Sequence, residues 1–548
     1  MANKLRVIPL GGLGEIGKNM MVFEYGNDAI LVDAGLMFPE NDMLGIDHII
    51  PDWRYLTENR NRLKIHALLL THAHEDHVGA IPYFVRDFSN VPIYGTPLTI
   101  GLVQGKLRTS GAKGHPTHVF EAGDILRFGP FVVESFHVTH SIPDCVGFAI
   151  DTPVGLVVHS GDYKFDHTPT DGWPTDFARI ASYSQRGVLA LFADSTNAER
   201  PGWTKSESVI DRAFDEVFHS AEGRIIVATF ASLISRIQQV ANAALYYGRK
   251  MAVAGYSMSQ NIKIARRLKY LDVPDSLLIN IDEIKRYPPE DIVIMATGSQ
   301  GEPSAVLARL AYGNHRSLEL IPGDTIVMSS HPIPGNEETV YRITNKLLQK
   351  GAHVIYDPKA EVHVSGHASQ EEMKLMINMV RPKFMIPVHG ELKHLHAHAD
   401  IAYALGIPEE NIAVVENGTI LEFTEDTMTI GERVPGGYVF IDGTGIGDIG
   451  PAVLRDREAL GRDGFVIITG VIDKKRRKFV APPQIISRGF VYLANSGALL
   501  DSAAELAQQV GESVTNGNLN QQVEGAIAKM LYSETRRRPM VFAQIFEI

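Results

Sequence analysis

Thr71-His72-Ala73-His74-Glu75-Asp76-His77 packs three imidazoles and two carboxylates into positions 72 to 77, directly after the apolar run Ala67-Leu68-Leu69-Leu70. The run has the composition of a buried strand, and Val78-Gly79-Ala80-Ile81-Pro82 suits a short helical turn beyond it. In the extended backbone at a strand mouth, side chains two apart point the same way, so His72 and His74 face together. Asp76 and His77 come after the bend and approach from another side. These donors would crowd one tetrahedral ion and suit two adjacent ones. A lone histidine here would be ordinary loop polarity; H-x-H-x-D-H at a strand end is metal-ligand spacing.

Outward from this stretch, the same device recurs. Residues 131–138 read as a strand delivering Thr139-His140-Ser141-Ile142-Pro143-Asp144, and residues 154–159 as one delivering Ser160-Gly161-Asp162. Residues 188–193 deliver Asp194-Ser195-Thr196-Asn197, and residues 384–388 deliver His389. Polar residues at successive strand ends form the rim of an active site in a layered α/β fold. The candidate ligands divide into His72, His74 and His140 on one ion and Asp76, His77 and His389 on another, with Asp162 bridging. Imidazole and carboxylate without thiolate suit zinc or manganese. A water shared by such a pair is acidic enough to attack near neutral pH.

Gly12, Gly14 and Gly17 spell a literal G-x-G-x-x-G with Asp33 downstream, but no helix follows. Residues 19–25, the Gly26-Asn27 turn and residues 29–33 read as a β-hairpin instead. Residues 206–355 alternate short apolar runs with helical stretches and read as a second α/β unit inserted into the first. His363-Val364-Ser365-Gly366-His367 then offers hydroxyl, backbone N–H and imidazole in a compact nest suited to an anion, with Ser232 as an opposing donor. His367 adds an imidazole able to act as a general acid or to stabilise developing charge. His394, His396 and His398, at i, i+2 and i+4 of a helix, read mostly as surface or supporting residues. The expected boundaries are 1–205 with 356–430 for the first domain, 206–355 for the insert, 431–458 for a linker and 459–548 for a closing domain. That last domain should hold strands near 464–472 and 479–492 and a helix over 500–512, with basic runs at Lys474-Lys475-Arg476-Arg477-Lys478 and Arg536-Arg537-Arg538.

Composition excludes several classes. The 548 residues exceed one ordinary core and suggest about three or four domains. No apolar run is long enough to span a membrane, and the opening residues lack a signal-peptide core. A single cysteine, Cys145, rules out an internal disulfide framework and fits a reducing cytoplasm. The net charge of −12 means that a polyanion must be held by local cations and metals.

The set His72, His74, Asp76, His77, His140, Asp162 and His389 resembles that of the metallo-β-lactamase hydrolases. Asp33 resembles their first acidic motif, which backs the ligands. Asp194, His367 and His389 resemble motifs A, B and C of the β-CASP nuclease branch. Gly11-Gly12-Leu13-Gly14-Glu15-Ile16-Gly17-Lys18-Asn19, Gly45-Ile46-Asp47, His140-Ser141-Ile142-Pro143-Asp144, Asp194-Ser195-Thr196-Asn197-Ala198-Glu199, His331-Pro332-Ile333-Pro334-Gly335-Asn336 and His363-Val364-Ser365-Gly366-His367 together resemble bacterial ribonuclease J.

The resemblance implies an α/β fold: a metallo-β-lactamase αββα sandwich, an inserted β-CASP domain and a small C-terminal α+β domain. It implies a cytoplasmic two-metal ribonuclease, with zinc or else manganese or magnesium, acting in rRNA processing and mRNA decay. Cleavage would be 5′→3′ from 5′-monophosphate ends and also internal, with Asp76, Asp194 and His367 as catalytic residues. It implies single-stranded RNA as substrate, homodimers or homotetramers, and membership of an RNA-degradation complex. Gly45, Asp47 and Asp442 resemble a structural calcium site. Ser235 departs from the pattern, which has histidine there. The competing readings are a hydrolase of thioesters or lactones on the same fold and a non-enzymatic RNA scaffold; the insert and His367 oppose the first, the complete ligand set the second.

Overall fold

The computed structural model describes residues 4–40, 42–302, 305–332, 336–357, 359–490, 497–515 and 517–548. Ile333, Pro334 and Gly335 of the His331 motif, and Val491 and Tyr492 of the expected strand at 479–492, lie outside the described residues. The chain forms two units, Met1–Phe38 with His48–Val439 and Pro39–Asp47 with Phe440–Ile548.

Two sheets build the framework of the larger unit. One runs in the order Met428–Arg433, Thr419–Phe423, Leu5–Gly11, Met20–Tyr25, Asp28–Val32, Lys64–Leu69, Ile93–Gly95, Thr117–Val119. The other runs Pro382–Val388, Val188–Asp194, Gly155–His159, Val146–Thr152, Phe131–His137, Ile125–Phe128. The expected hairpin is present: Met20–Tyr25 pairs antiparallel with Asp28–Val32. Alternate side chains of both sheets, among them Val7, Phe23, Ile30, Leu69, Phe148, Val157, Phe192, Ile386 and Phe423, meet in one core between them. Phe192 lies edge-on to Phe23, with ring centroids 5.9 Å apart. Burial of each such side chain stabilises the sandwich by about 1.5–3 kcal/mol.

The insert carries a third sheet, all parallel, in the order Leu278–Ile279, Lys250–Ala254, Ile292–Ala296, Ile225–Ala228, Thr325–Met328, His353–Tyr356. Its central strands are apolar throughout because helices cover both faces. Ile234, Ile237 and Val240 of helix Ile234–Tyr246 share a core with Met373, Met376 and Val380 of helix Gln370–Val380. The insert is therefore bonded to the sandwich by apolar packing as well as by its two chain crossings.

In the smaller unit, strand Phe465–Asp473 pairs antiparallel with Gln484–Arg488 and parallel with Met540–Glu547. Helices Gly497–Ser513 and Leu519–Thr535 bury Ala503, Ala507, Val523, Ile527 and Leu531 against it. The second helix, with Val523, Ile527 and Leu531 spaced four apart, and the final strand add to the expected elements. Residues 431–458, expected as a linker, carry the strand Tyr438–Asp442 and the start of helix Pro451–Asp463. No helix among the described residues is long and apolar enough to cross a membrane.

Candidate metal centre

Parallel strands place the donors. Val32 pairs with Leu69, so Asp33 and Thr71 leave adjacent strand ends together. His159 pairs with Phe192 and Asp194 with Val388, which brings Asp162, Asp194 and His389 side by side. Beyond the strand, helix Glu75–Val78 starts with His74 as its N-cap residue, and this bend turns Asp76 and His77 back toward the others.

The seven expected ligands converge as two adjoining groups: His72, His74 and His140, and Asp76, His77, Asp162 and His389. Nε2 of His72 and Nε2 of His140 each lie 3.1 Å from Nδ1 of His74. The edge of a tetrahedral zinc site with ordinary Zn–N bonds is about 3.3 Å, so these three nitrogens are spaced for one ion. Asp162 Oδ2 stands 3.6 Å from His72 Nε2 and 3.1 Å from His77 Nε2, between the groups. In the second group Asp76 Oδ2 lies 3.2 Å from His389 Nε2 and 3.5 Å from His77 Nε2. His389 Nδ1 lies 2.8 Å from Asp162 Oδ1, so both of its buried ring nitrogens face carboxylates. A cavity of about 20 Å³ opens among His77, Asp162, Asp194 and His389. The donor set and its spacing fit divalent metal ions.

Surrounding groups fix the rings. Asp33, at a left-handed φ of 60°, accepts Thr71 N–H and Thr71 Oγ–H at 2.8 Å each and contacts His77 Nδ1 at 2.7 Å. Thr71 Oγ in turn lies 3.0 Å from His72 Nδ1. With protons on both Nδ1 atoms, Nε2 of His72 and His77 are left as donors to an ion. His140 Nδ1 contacts the Gly366 carbonyl at 2.7 Å, which orients its Nε2 likewise. The glycine loop also belongs here: Leu13 pairs with Gly390, the residue after His389, which itself holds a φ of 53°. A Cβ on Gly11 would stand 1.8 Å from the Lys18 carbonyl, so only glycine lets this loop close.

Electrostatics separate the groups. Burial pushes His72 and His140 well below the ordinary imidazole range and His74 to about 4, leaving all three neutral, as ligands must be. Burial also opposes charge on His77 and His389, but Asp162 heads the carboxylates that outweigh it. His77 is held well above its usual value and His389 at about 10, so metal binding at these two rings must displace a proton from each. Against the same burial, His77 draws Asp76 and His389 draws Asp162 well below the usual carboxylate range. His367 Nδ1 contacts Asp194 Oδ2 at 2.8 Å, and although burial works against it, Asp194 raises its pKa.

Along 362–367, Val362, Val364 and Gly366 are buried and His363, Ser365 and His367 half-buried. Val364 packs into the core, so only its backbone is available to a ligand. Ser365 Oγ accepts Asn197 Nδ2–H at 2.8 Å and His367 N–H at 3.2 Å, which leaves its own proton to donate. Asn197 and Thr204 also donate to the His367 carbonyl, at 3.0 and 2.7 Å. The fully buried Arg236 donates to the Val362 carbonyl at 2.7 Å and to Glu207 at 2.9 Å. Nothing in the sequence spacing marks Asn197, Thr204 or Arg236 as supports; only the folded contacts do. Ser232 is half-buried, and its carbonyl accepts Ile234 N–H at 2.8 Å. Ser235, the departing residue, lines a small cavity with Thr139, His140, Asp166 and Glu207.

One expectation changes. His394 and His398 share a helix face and are buried, His398 contacting Ser195 Oγ at 3.0 Å; only His396 is exposed. Gly45, Asp47 and Asp442 do gather, since Asp47 accepts Gly443 N–H at 2.7 Å. Here the Arg457 guanidinium pairs with Asp442 and donates to the Leu44 carbonyl at 3.0 Å, which offsets the carboxylate charge a calcium ion would use.

Comparison with known proteins agrees with this geometry. Over 99% of both chains, this one is 43% identical to Ribonuclease J2 of Bacillus subtilis. The chain belongs to the ribonuclease J family. It is likewise 43% identical to Ribonuclease J 1 of Streptococcus pyogenes, covering 99% of this chain and 98% of that one, and 42% identical to Ribonuclease J of Thermus thermophilus, covering 99% and 95%. Residues 13–196 match the Metallo-beta-lactamase superfamily and residues 222–347 the Ribonuclease J beta-CASP domain. Residues 356–411 match the Zn-dependent metallo-hydrolase RNA specificity domain and residues 452–548 the Ribonuclease J C-terminal domain. A solved structure of a protein of unknown function from Enterococcus faecalis superposes with a TM-score of 0.54 at 16% identity, covering 77% of this chain and 100% of that one; it shares the fold.

Proposed function

We propose that the chain is a two-metal ribonuclease that cleaves single-stranded RNA both 5′→3′ from a 5′-monophosphate end and internally. The observation that carries this reading is Asp162 standing between two complete donor groups at the meeting of strand ends. His72, His74 and His140 would hold one ion, Asp76, His77 and His389 the second, and Asp162 both. Such ions supply Lewis-acid polarisation of the phosphate and a more acidic water. Zinc suits the tetrahedral spacing, and manganese or magnesium remain compatible with the carboxylates.

The chain's own residues do the rest. Asp33 and the Gly366 carbonyl keep the ligand rings in the correct tautomer. Asp194 holds His367 by Nδ1 and favours its protonated form, so Nε2–H is the donor for the leaving 3′-oxygen when the P–O3′ bond breaks. Asp76, partly exposed, keeps the second group negative where the attacking water must lose its proton. Ser365 Oγ–H, pinned by Asn197 and His367, is a preset donor to a terminal phosphate, with the backbone of Val364 and Gly366, His363 and Ser232 completing the pocket. The family relationship supports RNA as substrate, the insert supplies the second wall, and the lone, buried Cys145 accords with the cytoplasm. Assembly as homodimers or homotetramers within an RNA-degradation complex belongs to the same reading.

The test is hydrolysis of end-labelled single-stranded RNA with and without EDTA, on 5′-monophosphate and 5′-triphosphate forms. Activity should require metal and favour the monophosphate. Ser365→Ala should erase that preference and spare internal cuts. Metal-independent cleavage, or a preference untouched by Ser365→Ala, would overturn the metal mechanism or the pocket respectively.

A further inference from the structure

The basic turn after strand Phe465–Asp473 takes no part in this chemistry, yet it is tightly built. Lys474, Lys475, Arg476, Arg477 and Lys478 are consecutive in a chain whose net charge is −12. Ile472 pairs with Phe479 and Asp473 with Lys478, so the cations fill a short hairpin turn. Asp473 shapes it: Oδ1 accepts the N–H groups of Lys475 and Arg476 at 2.9 Å each, and its carbonyl accepts Arg477 N–H at 2.8 Å. Arg477 adopts a left-handed φ of 55°, and Lys474 N–H is held by the Ile548 carbonyl at 2.9 Å. The backbone is committed, while the side chains are free.

Few carboxylates answer these charges. Lys474 lies 3.3 Å from Glu547 and Arg476 3.9 Å from Asp473. Among the described residues, Lys475, Arg477 and Lys478 have no carboxylate partner, and all but Arg477 of the five are exposed. Crowded like charges on one turn are unfavourable unless an anion of matching spacing joins them. Lysine is depleted from protein–protein interfaces, whereas phosphate chains are gripped by Lys and Arg without base contacts. The other basic run is a separate feature. Pairing of Phe465 with Met540 and Ile472 with Glu547 puts Arg536-Arg537-Arg538 at the far end of the strand, about 23 Å away. There Arg536 and Arg538 sit over the Tyr532 ring and Arg537 donates to the Phe490 carbonyl.

We propose that turn 474–478 is a second, non-catalytic binding site for single-stranded RNA, in which Lys475, Arg477 and Lys478 grip the phosphate backbone whatever the base sequence. The proposal rests on the ribonuclease reading for its ligand. Three cations engage about two or three phosphates, and each contact with a single strand contributes about 0.7 to the salt slope.

The full chain, in EDTA to prevent cleavage, is titrated with a fluorescent single-stranded RNA across a salt series. Lys475→Gln/Arg477→Gln/Lys478→Gln should flatten the slope of log Kobs against log salt by about 1.4–2.1 and weaken binding roughly 20- to 100-fold near 0.1 M salt. The charge-keeping Lys475→Arg/Lys478→Arg variant should match the parent. Hydrolysis of bis(p-nitrophenyl) phosphate by the metal-loaded triple variant should proceed at the parent rate. An unchanged slope in the triple variant while the parent binds RNA overturns this site and leaves the ribonuclease reading intact. A change in sedimentation alongside weaker binding assigns the turn to an oligomer interface and also overturns it. Failure of the parent to bind RNA in EDTA overturns this site, whereas failure of the metal-loaded parent to hydrolyse RNA overturns the ribonuclease reading.

Discussion

Asp33→Asn isolates how the metal centre is prepared. The change keeps shape, and Asn tolerates the left-handed φ of 60° at this position, so backbone strain is not introduced. Of the three donors the carboxylate now accepts, Thr71 N–H can still be taken by the amide oxygen. The amide nitrogen would replace the oxygen that faces Thr71 Oγ at 2.8 Å and His77 Nδ1 at 2.7 Å. Threonine can turn its hydroxyl, but an Nδ1–H cannot face an N–H. His77 would move its proton to Nε2, the atom 3.1 Å from Asp162 that should hold an ion. Loss of such a support costs about 10- to 100-fold in metal affinity, or ~1.4–2.7 kcal/mol. His72 feels a smaller effect through Thr71. Chelator competition on metal-free protein should therefore show the second of two ions weakened by that factor, with RNA hydrolysis falling in step at limiting metal and recovering at excess. Metal-free thermal stability should fall as well, because Asp33 is one of the carboxylates that hold the charge on buried His77. Two ions bound with parental affinity in Asp33→Asn would refute the tautomer argument, because nothing else in the substitution protects His77.

Asp162→Ala should reduce bound metal below two ions and abolish hydrolysis with the fold retained; elemental analysis showing two ions at full rate would remove Asp162 from the bridge. His367→Ala should slow terminal and internal cleavage alike with both ions still bound, whereas selective loss of one mode would reassign it. Burial lifts the Asp144 carboxyl from 3.8 to about 6, partly countered by Leu98 N–H. Its folded pKa is thus above the unfolded one, so its contribution is complete below about pH 4 and lost as pH rises through 6, on the order of 3 kcal/mol. Asp144→Asn, which accepts the φ of 69°, should flatten that segment of the stability curve and exceed the parent above pH 7; parallel curves would refute it. Phe192→Ala, emptying the ring contact with Phe23, should cost about 3–5 kcal/mol in denaturant unfolding.

The convergence of the candidate donors was legible in sequence because a strand end is a local device. An apolar run of four residues followed by His72, His74, Asp76 and His77 fixes side-chain direction within a few bonds, and the same holds at His140, Asp162 and His389. The insert was legible for a related reason, since strands buried on both faces must be apolar throughout. What no local pattern could settle was which groups support the donors. The Asp33 contact with His77 spans two strands, and the Gly366 carbonyl meets His140 from a segment on the far side of the insert. Arg236, a charge in a helix of the insert, is buried only because Glu207, Gln239, Ser329 and the Val362 carbonyl surround it. Arg457 reaches the Leu44 carbonyl by a contact across hundreds of residues and pairs with Asp442 beside it. Side-chain direction along a strand is set by backbone geometry and travels with the sequence; hydrogen-bond partners and charge compensation are set by what packing brings near, and that is decided only when the chain is folded.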